Sequence, residues 1–274
     1  MPLDTVSIAR ARSLLFVPGH RPERFSKAVR SGAGAVVLDV EDAVGESVKD
    51  QARENIRSWL DNGGEGIVRI NDVRSAWYEE DVRMLRGVAR TVMLAKTESP
   101  DDVLELMSEL APGSCVLPLL ETAAGILSAR DICSVPGVVR AVFGNADLGR
   151  QLAVAHSDLV ALCFARSQVV LASAAAGIAS PVDGVSPDFG DEESLIRDAE
   201  HAAAIGFSGK LCLHPNQVQT VESVFSPSTE EVEWARQVLA AAEGNGSVGV
   251  LDGQVIGKPV IERAKRMLAG VERS

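Results

Sequence analysis

Cysteine is scarce in this chain, and its spacing is uninformative for chemistry. The four cysteines are Cys115, Cys133, Cys163 and Cys212, and no two of them form a CxxC pair. Three of the four fall in strand-like or helix-like patterns that are expected to be buried. Scattered cysteines of this kind predict reduced core residues rather than a disulfide framework, which is typical of a cytoplasmic protein.

Long apolar runs are also missing. The apolar stretch at 14–17 is too short for a secretory signal and is followed by a Pro-Gly pair. The longest apolar tract, 159–179, is interrupted by Arg166 and two polar neighbours. We therefore expect a buried helix of a barrel there, not a membrane span.

Positive charge is in deficit. The chain has 27 Lys and Arg residues against 38 Asp and Glu residues, for a formal net charge of -11. Such a surface repels phosphate backbones and anionic lipids, so neither nucleic acid nor a membrane is expected as a partner. An anionic substrate must instead be attracted by locally placed Arg and Lys side chains.

What the chain does contain is a repeated pattern in which a short apolar run is followed by polar residues and then by a helix-like stretch. There are eight such runs, at 14–17, 35–40, 67–70, 91–95, 115–120, 138–143, 181–185 and 210–213. Eight strands alternating with helices predict an α/β fold, the (β/α)8 TIM barrel, and 274 residues suffice for one barrel with a modest appendage. A doubly wound open sheet is the alternative, but no dinucleotide-binding glycine pattern follows the first run.

Polar side chains concentrate where the runs end, and Glu121 and Asp147 follow two consecutive runs. Parallel strands would bring both carboxylates to one rim, where a barrel enzyme holds a divalent metal or performs acid/base chemistry. The other runs end in residues that we also expect at this rim, namely Pro18-Gly19-His20-Arg21, Glu41-Asp42, Asn71-Asp72, Lys96-Thr97-Glu98, Asp183 and His214-Pro215-Asn216.

The pattern changes near Phe225. Ser228 and Glu231 have the spacing of a capping box that starts a helix. A hairpin around Asp252-Gly253 and a last helix at 259–268 are predicted to follow. We expect a barrel domain at 1–225 and a helical and hairpin extension at 226–274, which lacks a core of its own and packs on the barrel or on a neighbouring subunit.

Several segments resemble the citrate lyase beta-subunit-like proteins of the HpcH/HpaI aldolase superfamily. They lie in order along nearly the whole chain, at 12–19, 21–25, 38–44, 68–71, 94–99, 121–125, 144–148 and 212–215. The resemblance implies a Mg²⁺-dependent (β/α)8 enzyme that cleaves or forms a carbon–carbon bond in malyl-, citramalyl- or citryl-type thioesters of coenzyme A. It also implies assembly into homotrimers or hexamers.

The resemblance assigns roles to individual residues. Glu121 and Asp147 match the metal ligands, Arg69 matches the clamp for a substrate carboxylate or enolate, and Ala146 lies in the substrate-binding segment. An arginine suits the clamp because its planar fork of donors matches a carboxylate.

Other residues have competing interpretations. Glu41 and Asp42 are expected to orient metal-bound water or Arg69 rather than to bind metal, and Lys96 to neutralise these acids. His20 and His214 are either catalytic or packed rim residues. Three cations, Arg21, Arg24 and Lys27, open the helix after the first strand and are either a solvated face or a contact for the phosphates of coenzyme A.

The chain departs from the family pattern at two positions. Ala146 stands where members usually carry Glu, although the adjacent ligand Asp147 is kept. Gly257 stands where members usually carry the Asp of a Val-Asp-x-Pro segment, which acts as general acid/base in a neighbour's active site. The leading hypothesis is a lyase for a 3-hydroxyacyl-CoA thioester. The alternatives are a metal-dependent aldolase acting on a free hydroxy-oxo acid, and a binding subunit for a thioester or oxo acid with low activity.

Overall fold

Eight parallel strands hydrogen-bond in chain order and close into a barrel, because β1 pairs with β8 as well as with β2. Closure excludes the open sheet and confirms the predicted (β/α)8 barrel. The strands are β1 (Ser13–Pro18), β2 (Ala35–Asp39), β3 (Ile67–Ile70), β4 (Thr91–Leu94), β5 (Cys115–Leu120), β6 (Arg140–Phe143), β7 (Ala179–Val185) and β8 (Lys210–Cys212).

This computed structural model describes residues 4–88, 91–243, 249–251 and 254–269. It divides into two units, residues 1–225 and 226–274. The helices of the first unit are α1 (Thr5–Arg10), α2 (Phe25–Val29), α3 (Lys49–Asp61), α4 (Tyr78–Leu85), α5 (Pro100–Glu109), α6 (Ala123–Leu127), α7 (Ala129–Cys133), α8 (Asn145–Leu152), α9 (Cys163–Ala176), α10 (Glu192–Ile205) and α11 (Asn216–Val224).

Alternation along the strands separates two apolar layers, since successive side chains point to opposite faces. One cluster of buried residues includes Leu14, Val37, Ile67, Leu119 and Val142, which fill the barrel interior. The residues between them on each strand belong to a larger cluster that packs beneath the helices. Two positions after these interior residues, toward the carboxyl end of each strand, come Phe16, Asp39, Arg69 and Glu121. The site therefore rests directly on the packed interior.

A capping box fixes where α5 begins. Ser99 caps α5, since its Oγ accepts a hydrogen bond from the Asp102 N–H (3.2 Å) while Asp102 accepts one from the Ser99 N–H (3.2 Å). The expectation of a buried helix at 159–179 is wrong in part, because α9 is buried on one face only. Val169 of α9 is buried, but Phe164 and Leu171 on its outer face are 68% and 66% exposed. No helix in the part of the chain that the structure describes is both long and apolar enough to span a membrane.

The second unit contains α12 (Thr229–Glu243), the antiparallel strands β9 (Gly249–Leu251) and β10 (Gln254–Ile256), and α13 (Lys258–Ala269). The capping box forms, with the Glu231 N–H donating to Ser228 Oγ at 3.1 Å. Asp252 and Gly253 of the predicted hairpin lie outside the described residues. The expectation that this segment has no core is wrong, because a small apolar cluster joins the two helices and the second strand: Ala235, Val238, Ile256, Ile261 and Ala264.

Candidate functional site

A buried ion pair between Arg69 and Asp39 forms the floor of the site. The two residues are register partners on β3 and β2. Arg69 Nε and Nη2 donate to the two Asp39 carboxylate oxygens at 2.7 Å each, and the Phe16 ring lies 4.6 Å from the guanidinium carbon. Burial alone would lower the pKa of Arg69, but Asp39 and Glu41 raise it above its ordinary value. Arg69 is thus a permanent, rigidly held cation.

Asp39 belongs to the candidate site but was not predicted from the sequence. The available signal was an acid at the end of the otherwise apolar strand Ala35–Asp39, which is costly to bury without a partner. The Asp39 carboxylate also accepts hydrogen bonds from the N–H groups of Glu41 (3.0 Å) and Ala43 (3.1 Å). One side chain therefore fixes both Arg69 and the turn after β2.

Glu41 links the two cations of the site. One of its carboxylate oxygens lies 3.0 Å from Arg69 Nη1, and the other contacts Lys96 Nζ. The Asp42 side chain is 60% exposed, and its one ion pair with a described residue is to Lys96, at 3.7 Å. The structure thus brings Glu41, Lys96 and Arg69 together as expected, whereas Asp42 makes no contact with Arg69.

The backbone of Lys96 turns sharply next to Glu121, one of the two candidate metal ligands. Its φ of 46° lies in the left-handed region, which a lysine rarely adopts. In this conformation the Lys96 N–H donates to Glu121 Oε1 at 2.9 Å, while the side chain reaches back to Glu41. Such strain costs about 1–3 kcal/mol and persists where the surrounding structure requires it.

Glu121 is buried, 4% exposed, at the carboxyl end of β5. Burial raises the pKa of Glu121 to about 8, with Arg69 and Lys96 opposing the rise and Glu41 and Asp147 adding to it. A glycine is required beside it, because a Cβ at Gly144 would lie 2.3 Å from the Glu121 Cβ. The chain after β6 can therefore lie this close to Glu121 only because residue 144 is a glycine.

Asp147 lies in the first turn of α8, directly after β6, and its carboxylate pairs with exposed Arg150. Asn145 holds this turn against β7. Its Oδ1 accepts from the Val185 N–H at 2.8 Å, and its Nδ2 donates to the Val185 carbonyl at 2.9 Å. Ala146 is exposed beside Asp147, so the family's usual Glu would face solvent here.

The arrangement suits Mg²⁺. Within the described residues, no three His, Cys, Asp or Glu side chains cluster closely enough to enclose a metal. Mg²⁺ commonly takes only one or two protein carboxylates and keeps positions for water and substrate oxygens, as Glu121 and Asp147 would allow. When all are ionised, the local charges are three cations against five carboxylates, leaving two negative charges: Arg69, Lys96 and Arg150 against Asp39, Glu41, Asp42, Glu121 and Asp147.

Metal binding at Glu121 should depend on pH, because a proton and Mg²⁺ compete for the same buried carboxylate. With its pKa raised to about 8, Glu121 is mostly protonated at pH 6 and mostly ionised above pH 8. We expect the apparent Mg²⁺ affinity to rise roughly tenfold per pH unit below pH 8 and to level off above it. Calorimetric titrations from pH 6 to 9 measure this, and a flat profile would show that Glu121 does not compete with a proton.

The three cations expected to contact coenzyme A lie after β1, where a 3-10 turn (Pro22–Arg24) precedes the short helix α2. Arg21 comes before the turn, Arg24 ends it, and Lys27 lies within α2, so the three do not open one regular helix as the sequence suggested. All three are exposed, and their side chains make no ion pair with any residue that the structure describes. They are available to an external anion.

Other rim predictions have mixed outcomes. His214 Nδ1 accepts a hydrogen bond from the Asn216 N–H at 3.2 Å, and its ring stacks on Phe189. His20 Nδ1 is buried with no hydrogen-bond partner among the described residues. The placement of Asp183 at the rim is wrong. It lies inside β7 with no exposed surface, where it pairs with Lys210 (2.9 Å) and Arg166 (2.9 Å) beneath the helices.

The family described as HpcH/HpaI aldolase/citrate lyase matches residues 12–215. A citrate lyase subunit beta-like protein of Mycobacterium tuberculosis is 37% identical over 263 residues, which are 93% of each chain. A (3S)-malyl-CoA thioesterase of Cereibacter sphaeroides is 35% identical over 95% of this chain and 94% of its own. Citramalyl-CoA lyase of Rattus norvegicus mitochondria is 30% identical over 94% and 85%.

The solved structures include the protein CitE of Mycobacterium tuberculosis in complex with magnesium, acetoacetate and coenzyme A. It superposes with a TM-score of 0.84 at 36% identity, over 97% of this chain and 99% of that chain. Both the sequence matches and this structural match extend over almost the whole length.

Proposed function

The chain belongs to the HpcH/HpaI aldolase/citrate lyase family, and on that premise we propose how its site works. The protein is a Mg²⁺-dependent carbon–carbon lyase for coenzyme A thioesters. Its substrate is a 3-hydroxyacyl-CoA of the malyl, citramalyl or citryl type. The observation that carries the residue assignments is the convergence of Glu121, Arg69, Lys96 and Asp147 at the carboxyl end of the barrel.

Glu121 and Asp147 would hold the metal, which supplies Lewis-acid stabilisation to substrate oxygens. Arg69 would bind the carboxylate of the oxo-acid half. Asp39 already occupies the edge formed by Nε and Nη2, and Glu41 pairs with Nη1 at 3.0 Å, so one N–H of Nη1 and one of Nη2 remain for a substrate. Glu41 and Lys96 would keep this fork aligned with Glu121.

The reaction is a retro-Claisen cleavage or its reverse. The substrate hydroxyl loses its proton, the adjacent carbon–carbon bond breaks, and the electron pair of that bond passes to the thioester as an enolate. The products are an oxo acid and, once the enolate carbon is protonated, a shorter acyl thioester. In the family pattern the Asp of the Val-Asp-x-Pro segment supplies the proton to the enolate carbon. This chain has Gly257 at that position.

Coenzyme A would be held at the rim through its phosphates by Arg21, Arg24 and Lys27. Two observations support this assignment: the three side chains are exposed without an ion pair to any described residue, and they lie shortly after β1. The activity is tested by assaying a panel of malyl-, citramalyl- and citryl-CoA thioesters with Mg²⁺ and with excess chelator. Turnover of none of them, with or without metal, would contradict the proposal.

The lack of a side chain at Gly257 favours one second candidate, an aldolase that acts on a free hydroxy-oxo acid, since such a reaction needs no acid on the thioester side. The same panel, extended to the free acids, separates the two activities. Binding without any turnover would instead indicate a binding subunit of low activity.

We also propose a cytoplasmic homo-oligomer, a trimer or hexamer. The support for a reducing compartment is that all four cysteines are free and three are buried. The support for assembly is the apolar outer face of α9, where Phe164 and Leu171 are exposed together with Val160 (87%) just before the helix. Light scattering coupled to size-exclusion chromatography measures the oligomeric state.

Replacing Arg69 with lysine should impair the carboxylate clamp while preserving a positive charge. Lysine cannot donate two parallel hydrogen bonds, so we expect a loss of roughly 2–3 kcal/mol in transition-state stabilisation. The measurement is kcat/KM on whichever thioester is turned over. Arg57→Lys is the matched control, because Arg57 is a partly exposed arginine that pairs with Asp61 at 2.9 Å and donates to the Met84 carbonyl. Among the described residues, it makes no ion pair or hydrogen bond with Glu121, Lys96 or Arg69. Unchanged kcat/KM in Arg69→Lys would remove Arg69 from the mechanism.

A further inference from the structure

The turn after β2 is fastened from behind by a buried lysine. Lys49, the first residue of α3, is 5% exposed. Its ammonium donates to the carbonyl oxygens of Val40 (2.7 Å) and Glu41 (3.0 Å) and to Asn71 Oδ1 (3.2 Å). An ammonium has three N–H donors, so all of its hydrogen-bonding capacity is spent on this turn and the neighbouring strand end.

The acceptors of Lys49 are themselves fixed. Asn71 Nδ2 donates to the Val40 carbonyl at 3.2 Å and to Asp81 Oδ2 at 2.6 Å. Asp81 is fully buried and accepts a hydrogen bond from Arg53 Nε at 2.7 Å. A connected polar network thus runs from α3 and α4 to the turn that carries Glu41.

Lys49 occupies an unfavourable position for a cation. The positive end of a helix dipole repels positive charge at the first turn. The side chain is also buried without a direct ion pair to any described residue, and burial lowers the pKa of Lys49. The free-energy cost of burying this cation is offset, at least in part, by its three hydrogen bonds.

We propose that Lys49 is a positioning residue of the carboxylate clamp: it fixes the turn at Val40 and Glu41 so that the Glu41 carboxylate bridges Arg69 and Lys96. Glu41 is the only described side chain in contact with both cations. If the turn moves, Arg69 keeps Asp39 but loses the partner that orients Nη1 and aligns Lys96. This inference rests on the proposed function, in which Arg69 binds the oxo-acid carboxylate.

The test replaces Lys49 by methionine, which keeps the length of the side chain and removes the three donors. The matched control is Arg140→Met. Arg140 is likewise a buried cation without a carboxylate partner, donating to the carbonyls of Ala11 and Ser180, but it lies at the opposite end of the barrel. Both variants should melt at lower temperature than the wild type, because each leaves buried carbonyls without a donor.

The deciding measurement is calorimetric binding of pyruvate in the presence of saturating Mg²⁺. We expect Lys49→Met to weaken pyruvate binding about 10- to 100-fold, since a displaced anchor misaligns the ligand, and Arg140→Met to leave it within about twofold. Equal pyruvate affinity in wild type and Lys49→Met overturns the proposal. If Lys49→Met does not fold, Lys49→Gln, which retains one amide donor group, is expected to show a smaller loss in the same assay.

A crystal structure of the substituted protein separates this inference from the proposed function. If the wild type binds no pyruvate, the assignment of Arg69 as the carboxylate clamp fails. The positional role is then decided by the coordinates alone. A Glu41 carboxylate displaced from Arg69 and Lys96 in the variant supports it, and an unmoved Glu41 overturns it.

Discussion

Mg²⁺ binding is expected to fall more than about 100-fold when Glu121 is replaced by glutamine or Asp147 by asparagine, since even residues that only orient metal ligands typically contribute 10–100-fold. Both substitutions preserve shape and remove one negative charge. Glu121→Gln also keeps the oxygen that accepts the Lys96 N–H, so the local backbone has no reason to move. Calorimetric titration of Mg²⁺ at pH 8 provides the measurement.

The stability of the metal-free proteins shows whether a substitution weakens Mg²⁺ binding by removing a ligand or by unfolding the protein. The pKa of Glu121 is raised in the folded protein, so ionisation of Glu121 destabilises the metal-free fold as pH rises from about 4.5 toward about 8. Glutamine cannot ionise, and metal-free Glu121→Gln should therefore be at least as stable as the wild type at pH 8. Mg²⁺ should raise the melting temperature of the wild type but not of the variant.

The matched control for both substitutions is Glu98→Gln. Glu98 is a carboxylate after the same strand as Lys96, but it pairs with Arg74 at 3.5 Å rather than with Arg69 or Lys96. The Glu98→Gln variant should bind Mg²⁺ with the affinity of the wild type. Normal affinity in both Glu121→Gln and Asp147→Asn would contradict the metal site.

Gly257→Asp is expected to raise lyase or condensation activity on malyl- or citramalyl-CoA. A positioned acid/base group typically accelerates proton transfer by roughly 10²–10⁴-fold, and the family pattern has an Asp at this position. The structure removes the competing explanation that Gly257 is needed by the backbone. Among the described residues, a Cβ there would meet only Pro259 Cδ, at 3.7 Å, and the residue does not adopt the left-handed conformation that favours glycine.

Gly257→Asn is the matched control, because it adds the same volume without an ionisable group. Activity should rise in the Asp variant alone, with a pH profile that reports the new carboxyl group. Strong native turnover combined with no gain from Asp would show that this chain supplies the proton from another residue.

Local patterns in the sequence determined the type and order of the barrel elements. The eight apolar runs, the capping box of Ser228 and Glu231, and the polar residues after each run are all properties of neighbouring positions. They suffice to predict eight strands with Glu121 and Asp147 at the same rim. Even there, the exact strand ends differ by a few residues, as at β6, which begins at Arg140 rather than at 138.

Only the tertiary structure decided which buried charges belong to the site. Asp39 and Asp183 look alike in sequence, since each is an acid within an apolar strand. Asp39 faces the barrel interior and holds Arg69, whereas Asp183 faces the helices and holds Lys210. Both faces of a barrel strand are buried, so hydrophobicity does not distinguish inward from outward positions. Pairing across strands, such as that of Asp39 with Arg69, depends on strand register. The contact of the Lys49 ammonium with the Glu41 carbonyl depends on how α3 folds back toward the end of β2. No local pattern records either arrangement.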